Sequence, residues 1–476
     1  MKYIKALVAG SVLSCSFAAA AQSAPRSAYF LDGYTFRHEL NPAFAGERNY
    51  VSVPALANVN PSFYSNVGVK TFLYKTDGGQ YDLTTFMSPT VSGAEFMSKL
   101  SENNHINANI DITLLSAGFK AFGGFNTITI GAHTDVGVNL PKDLFAFMKL
   151  GQQGPDTRYN FSNIDVRANA MAEIALGHQR QIDKKLAVGA KLKVLLGAGG
   201  ANAHIDNMDV RFGGDKWIIK ADGYMNVAAG KGLYMPTRLE SGAEIEKPGM
   251  ENLIDWGKID YDSFGLSGFG MGVDLGATYR LLPDLELSAA VNDLGFMSWN
   301  HAIKARTGTG EWEFDGFQNI GVNDDQPDYE DNKIETQFDN MWYDLQDAVS
   351  FHREATESSY TKALAATIHL GAEYKMPFYK NLTGSFLFSS HIAGCASWTE
   401  GRFYANVKPV KWFDATVNYG ASTYGSSFGW MLNFHPKGFN FFIGSDHMLF
   451  KVTPQFVPVC NATANINLGF NVTFGS

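Results

Sequence analysis

Apolar and polar residues alternate with a period of two over most of the chain beyond residue 48. At the C-terminus Ile466, Leu468, Phe470, Val472 and Phe474 are apolar, while Asn465, Asn467, Gly469, Asn471 and Thr473 between them are small or polar. Residues 268–281 repeat the pattern, with Phe269, Met271, Val273, Leu275 and Tyr279 against Gly270, Gly272, Asp274, Thr278 and Arg280. Residues 185–196 and 364–375 do the same. Successive side chains on a strand point to opposite faces, so each segment reads as a strand with one greasy face and one wet face. A soluble sandwich and a membrane barrel both produce that pattern. The segments are about 10–15 residues long, whereas soluble strands cluster near 5–6. Short and long connections alternate. The final strand runs to the chain end, with Phe470, Val472 and Phe474 forming a terminal pattern like the assembly signal of outer-membrane barrels. The expected fold is therefore all-β, a closed antiparallel transmembrane barrel.

Turns set the strand count. Tight turns are expected at 122–124, 181–184, 282–284, 376–381, 408–410 and 435–438. Placing them all on the periplasmic side gives strands near 50–66, 106–119, 125–138, 162–180, 185–199, 267–281, 285–303, 359–374, 382–394, 397–408, 411–422, 425–435, 438–448 and 461–474. That is fourteen, an even number with both termini periplasmic, as outer-membrane barrels require. Residues 203–212 and 216–226 read as a hairpin standing above the membrane; if they entered it, the count would rise to 16 or 18. Segments 67–105, 139–161, 200–266 and 304–358 become the long external loops. Pro141 to Met148 begins with proline and is apolar, as at a helix start. Met341, Leu345 and Val349 share helical spacing, so 338–351 reads as a short amphipathic helix.

Composition narrows the class. Charged residues make up 18% and the net charge is −9, against about 25% charged residues in soluble domains. A chain this acidic lacks the basic footprint of nucleic-acid binding. Beyond residue 21 no apolar run approaches the ~18 residues of a spanning helix. Met1–Lys5 is basic, Ala6–Phe17 is largely apolar, and Ala18–Ala21 is small. This is the layout of a secretory signal peptide cleaved near Ala21; Cys15 leaves a lipoprotein box as the alternative. The domains are then a signal peptide over 1–21, a plug segment over 22–49 and the barrel over 50–476. Cys395 and Cys460 would lie in an oxidising compartment, either bonded or free.

Candidate chemistry is sparse. No Gly-x-Ser-x-Gly, His-Glu-x-x-His, phosphate loop or Cys-x-x-Cys occurs. Ser389, Ser390 and His391 adjoin, with His369 on the preceding strand, but neighbours on a strand face opposite ways, so Ser390 and His391 cannot meet. No enzyme activity, cofactor or metal is expected. Acids in 304–358, among them Asp324, Asp325, Asp328, Glu330 and Asp331, match no calcium-loop spacing. Lys191, Lys193, Asp274, Arg280, Glu286, His369 and Glu373 fall at inward parity and read as a mixed-sign polar lumen.

Residues 34–46 read YTFRHELNPAFAG. Asn41-Pro42-Ala43 in a segment before the barrel resembles the hatch of FadL-type hydrophobic-compound transporters, and Asp293-Leu294-Gly295 with Trp299 resembles a strand end of that superfamily. The whole layout resembles a Bacteroidota family of outer-membrane barrels of unassigned function, with PorV- and PorP-like barrels of type IX secretion and gliding as further relatives. The resemblance implies a conduit for small hydrophobic or amphipathic compounds, or else a scaffold for secretion or gliding machinery. The partners it implies are outer-membrane lipids, the barrel-assembly machinery, and a hydrophobic ligand or a secretion-system protein. Residues 22–49 contain Tyr29, Phe30, Leu31, Tyr34, Phe36, Leu40 and Phe44. They are too apolar for a free tail and are expected to fill the lumen, with Arg37, His38 and Glu39 pairing to Asp274, Arg280, His369 or Glu373.

Overall fold

A computed structural model describes residues 25–54, 56–75, 83–263, 265–308, 310–317, 319–321, 328–394, 397–448 and 463–475. The signal segment, Cys395, Cys460, Asp324 and Asp325 lie outside the described residues.

Fourteen strands form the wall: β1 (Asn49–Ser52 and Asn58–Ser65), β2 (Asn103–Ala121), β3 (Gly124–Pro141), β4 (Ile164–Gln181), β5 (Leu186–Gly213), β6 (Gly268–Leu282), β7 (Leu285–Thr307), β8 (Phe351–Ala363 and Ala366–Lys375), β9 (Leu382–Ile392), β10 (Trp398–Val410), β11 (Phe413–Ser422), β12 (Gly425–Phe434), β13 (Phe439–Ser445) and β14 (Ala464–Asn465 and Asn467–Phe474). Each pairs antiparallel with its chain neighbours. Asn49 pairs with Phe474 and Ser62 with Asn465, so β1 meets β14 and the sheet closes. Closure satisfies every edge, which is what allows a sheet to stand in lipid. The expected strands map one to one onto these fourteen.

Alternation sets the two faces. Phe269, Met271, Leu275 and Tyr279 of β6 are exposed outward, while Asp274 and Thr278 are buried inward. Leu370, Phe388, Phe403, Val417, Phe441 and Phe470 continue the outward apolar band around the barrel. One end, the base, carries the short turns; the other carries the long segments.

The wall is lopsided. β5 runs for 28 residues and β13 for 7. β5 was expected to stop near 199 but continues through 200–213, and Trp217–Ala228 returns beside it. β6 begins only at Gly268, opposite Gly197. Above that point the returning strand takes its place between β5 and β7, pairing Val227 with Ile303 and Tyr224 with Arg306. The hairpin is therefore an upward extension of the wall. Asp156–Asn160 and Glu311–Phe314 add one short strand at each side of it. Helix Lys142–Leu150 follows Pro141, as its proline start suggested. The second helix spans Ile334–Val349; it starts four residues before its expected beginning and stops two residues short of its expected end, because Ser350 is already extended and leads into β8.

Candidate functional site

Charged, polar and aromatic groups converge in the lumen. Residues 25–48 occupy it from the outer end of the short side, where Arg26 lies, to the base, where Glu47 pairs with Lys408. Tyr29, Phe30, Leu31, Tyr34, Phe36, Leu40 and Phe44 are buried and share one core with Tyr50, Phe125, Leu387, Tyr404, Met431 and Phe442 of the wall. A fourteen-stranded barrel is too wide for its own side chains to fill. Here the inserted segment supplies the missing apolar volume.

Three attachments hold the segment. At the top, Asp446 accepts from the backbone N–H groups of Arg26 (3.0 Å) and Ser27 (2.6 Å), capping the short 3₁₀ turn Arg26–Ala28. The Arg26 guanidinium lies 3.3 Å from Glu400, donates to His447 Nε2 at 2.8 Å, and sits 4.3 Å from the Trp398 ring centre. Glu400 also takes a two-pronged bond from Arg402 at 2.9 and 2.8 Å. Near the base Gly33 N–H donates to Asp414 at 3.1 Å, and in the middle Asn292 Nδ2 donates to the carbonyls of Glu39 and Leu40 at 3.2 and 3.1 Å. Near the base lies Asn41-Pro42-Ala43. Asn41 Oδ1 accepts from Ala43 N–H at 2.9 Å, closing an Asx turn, and its Nδ2 donates to Ala289 O at 3.3 Å. This turn presses on the wall at Gly189 and Gly276. A Cβ on either glycine would lie 2.0 Å from Pro42 O or Asn41 Oδ1, so only glycine leaves room there.

The expected pairing of Arg37, His38 and Glu39 with Asp274, Arg280, His369 or Glu373 is not what the structure shows. Arg37 turns back to Asp32 of its own segment, His38 Nε2 lies 2.8 Å from Tyr50 Oη, and Glu39 accepts from Asn58 at 3.5 Å. The turn at Pro42 seals this face against glycines, leaving no path to Asp274.

Lys193 and Asp274 instead form the centre of an ion layer just above the plug. Lys193 Nζ lies 2.6 Å from Asp293, 3.0 Å from Asp274 and 3.6 Å from Glu173. Lys191 is 3.6 Å from Asp274. His133 bridges Asp111 at 3.0 Å and Glu173 at 3.6 Å. All these groups are buried. Inward parity identifies most of them; Asp293 escapes it. Asn292 and Asp293 together oppose Asp274, a bulge with Asp293 at φ 61°. The bulge turns Asp293 inward and resets the period, as bulges do. Above the layer, Leu195, Met297, Trp299, Ala302 and Ala228 form a second buried apolar cluster. The ions are thus enclosed between plug and lid.

The remaining candidates lie elsewhere. His369 Nδ1 is 2.9 Å from Ser389 Oγ, and His391 Nδ1 is 2.9 Å from Thr367 Oγ1; all four face inward and are buried. The serine and histidine meet across strands, but Tyr29 of the plug packs on His369 with ring centres 5.7 Å apart, so no substrate reaches them in this state. Arg280 stands at the base rim, 3.7 Å from Glu286, and Glu373 lines the same rim. Together with Asp32, Arg37 and Lys375 they bound a polar cavity of about 250 Å³ where the plug leaves the barrel. Phe470, Val472 and Phe474 point outward toward the lipid side.

The chain is similar to solved structures at very low identity. The Ralstonia pickettii toluene transporter TbuX is 11% identical with a TM-score of 0.42, covering 93% of this chain and 95% of its own. The P. putida toluene transporter TodX is 10% identical with a TM-score of 0.38, covering 92% and 93%. A Pseudomonas aeruginosa FadL homologue is 8% identical with a TM-score of 0.37, covering 96% and 99%. No curated protein matches the sequence. A family model described as a family of unknown function, DUF5723, matches residues 42–446, from the Pro42 turn to Asp446 at the top of the plug site, and the chain belongs to that family.

Proposed function

We propose that this protein is a non-enzymatic outer-membrane barrel that works as a closed scaffold, with its base in the periplasm and its tall side raised outside the cell. The filled lumen carries this reading: an aromatic plug, an ion-paired layer and an apolar lid succeed one another across the barrel. The outward apolar band and the closed sheet support the location. A hydrophobic compound crossing here would have to displace the plug and strip partners from buried charges, each of which costs several kcal/mol to isolate. The secretion or gliding machinery implied by the sequence resemblance is the partner class this reading favours.

The second reading is a gated conduit for small hydrophobic or amphipathic compounds. The cavity beside Arg37 and Arg280 favours it, because the plug is loosest where it would have to move. Proteoliposome uptake of toluene and of a fatty acid separates the two. The scaffold reading expects uptake no faster than in empty vesicles. A plug tethered by Ser27→Cys with Gly429→Cys, whose positions nearly touch, completes the test in a background lacking Cys395 and Cys460. Uptake that is present and then abolished by the tether would establish the conduit and overturn the scaffold.

A further inference from the structure

Helix Ile334–Val349 lies on the outer part of the tall side, against the strand Glu311–Phe314 and the returning strand Trp217–Ala228. Its apolar residues share one face. Ala348 is buried, and Met341, Leu345 and Val349 are partly covered. The flank of that same face, Ile334, Phe338 and Trp342 at four-residue spacing, is left 42%, 51% and 51% exposed. Large apolar side chains aligned in the open on one helix are unusual on a surface with no partner. The stripe does not stand alone. Phe338 rests on Phe317 with ring centres 4.3 Å apart, Phe317 on Phe314 at 5.0 Å, and Phe314 on Trp217 at 5.8 Å. Phe338 is therefore braced by neighbouring rings before anything binds, which lowers the entropy lost on association.

Charge identifies the occupant. Residues 311–349 contain twelve Asp or Glu and one Lys, a net −11, while the whole chain is −9. The acidity of the protein is thus concentrated in the segment that bears the stripe. Asp344 pairs with Lys247 and Asp347 with His352 on the anchored side. Glu335 and Asp339 border the exposed stripe and have no ion-pair or hydrogen-bond partner among the described residues. A lipid surface would require Lys and Arg around such a stripe. A second copy would set one acidic rim against another. A polypeptide segment with apolar anchors flanked by Lys or Arg satisfies both halves of the surface.

We infer that the Ile334–Phe338–Trp342 flank, with its Glu335 and Asp339 rim, is a docking surface for a cationic amphipathic polypeptide segment. The inference deepens the scaffold reading and rests on it. Its test uses the full-length protein in zwitterionic nanodiscs and a short fluorescent peptide of alternating Lys and Leu/Phe, with the Glu-for-Lys peptide as control. Saturable binding above that of empty discs is expected, falling as salt rises. Phe338→Ala with Trp342→Ala should weaken it at least about tenfold, as for central aromatic anchors. Glu335→Gln with Asp339→Asn should weaken it less and flatten the salt dependence. Trp342→Phe should retain it, which separates lost anchoring from lost folding. Equal binding by both double variants, or by empty discs, would overturn the proposal, and so would self-association that the aromatic variants abolish. Toluene uptake is read on the same protein preparations reconstituted into sealed proteoliposomes, so failure of the scaffold itself registers separately from failure of docking.

Discussion

The two sides of the barrel solve the same problem with different chemistry. Both must line a dry lumen with polar groups, because their inward faces alternate with lipid-facing ones. The tall side, β2 to β7, uses ions: Asp111, His133, Glu173, Lys191, Lys193, Asp274 and Asp293 form one paired network. The short side, β11 to β14 with β1, uses amides. Asn440 donates to Asn433 at 2.6 Å, Asn433 to Asp414 at 2.6 Å, Asn467 to Asn58 at 2.6 Å and Asn465 to Asn60 at 3.4 Å. An amide both donates and accepts, so a ladder of them satisfies itself one neighbour at a time. An ion layer is satisfied only as a set, since removing one member strands its partners in low dielectric. The ion side also carries the glycines that seat Asn41 and Pro42, while the amide side bonds Gly33 and Thr35 of the plug near the base through Asp414 and Asn440.

This contrast predicts graded costs. Lys193→Met leaves Asp274, Asp293 and Glu173 without their shared cation and should cost about 3–5 kcal/mol, the range for breaking a buried pair. Equilibrium unfolding in guanidinium from lipid vesicles measures it. A loss below that of the amide variants described next would erase the distinction between the sides. Asn440→Ala removes two donors, to Asn433 and to the Phe434 carbonyl; the same assay should show about 1–3 kcal/mol.

Between these lies the face assignment. Leu275→Arg, on the lipid side, should destabilise by about 2–4 kcal/mol near the midplane. The same change at Thr278 puts the guanidinium toward the base cavity, which Thr278 lines, and should cost less. Equal losses at the two sites would undo the inside–outside reading. At the seat, Gly276→Val should eject the Asn41-Pro42 turn. Planar-bilayer recordings would then show openings that the wild-type protein lacks, and deletion of residues 22–40 should give a larger, steady conductance. An unchanged closed trace in both would show that the segment does not plug. The smallest effect belongs to Lys408→Ala. Its pair with Glu47 at 2.8 Å is partly exposed at the base, and such pairs contribute about 0–1 kcal/mol.

The regularities that do not depend on depth were legible in the sequence. Strand identity, the outward band and the inward parity of Lys191, Lys193, Asp274 and His369 follow from period two, because a pleated strand imposes that period whatever surrounds it; the number fourteen follows once the tight turns are placed on one side. The apolar surplus of residues 29–44 likewise marked a segment that had to be covered. Tertiary structure decided what the alternation cannot encode. The bulge at Asn292–Asp293 breaks the period where Lys193 takes its third carboxylate. The wall above Gly197 rises outside the lipid, where residues 200–213 lose the clean greasy face that identified the strands below. Arg37 and Glu39 have several inward charges of suitable sign within the sequence, and only the seating of Pro42 on Gly189 and Gly276 selects their partners. Alternation determined which face each residue takes; register, bulges and the plug's path determined which residues meet, because those depend on contacts between segments hundreds of positions apart.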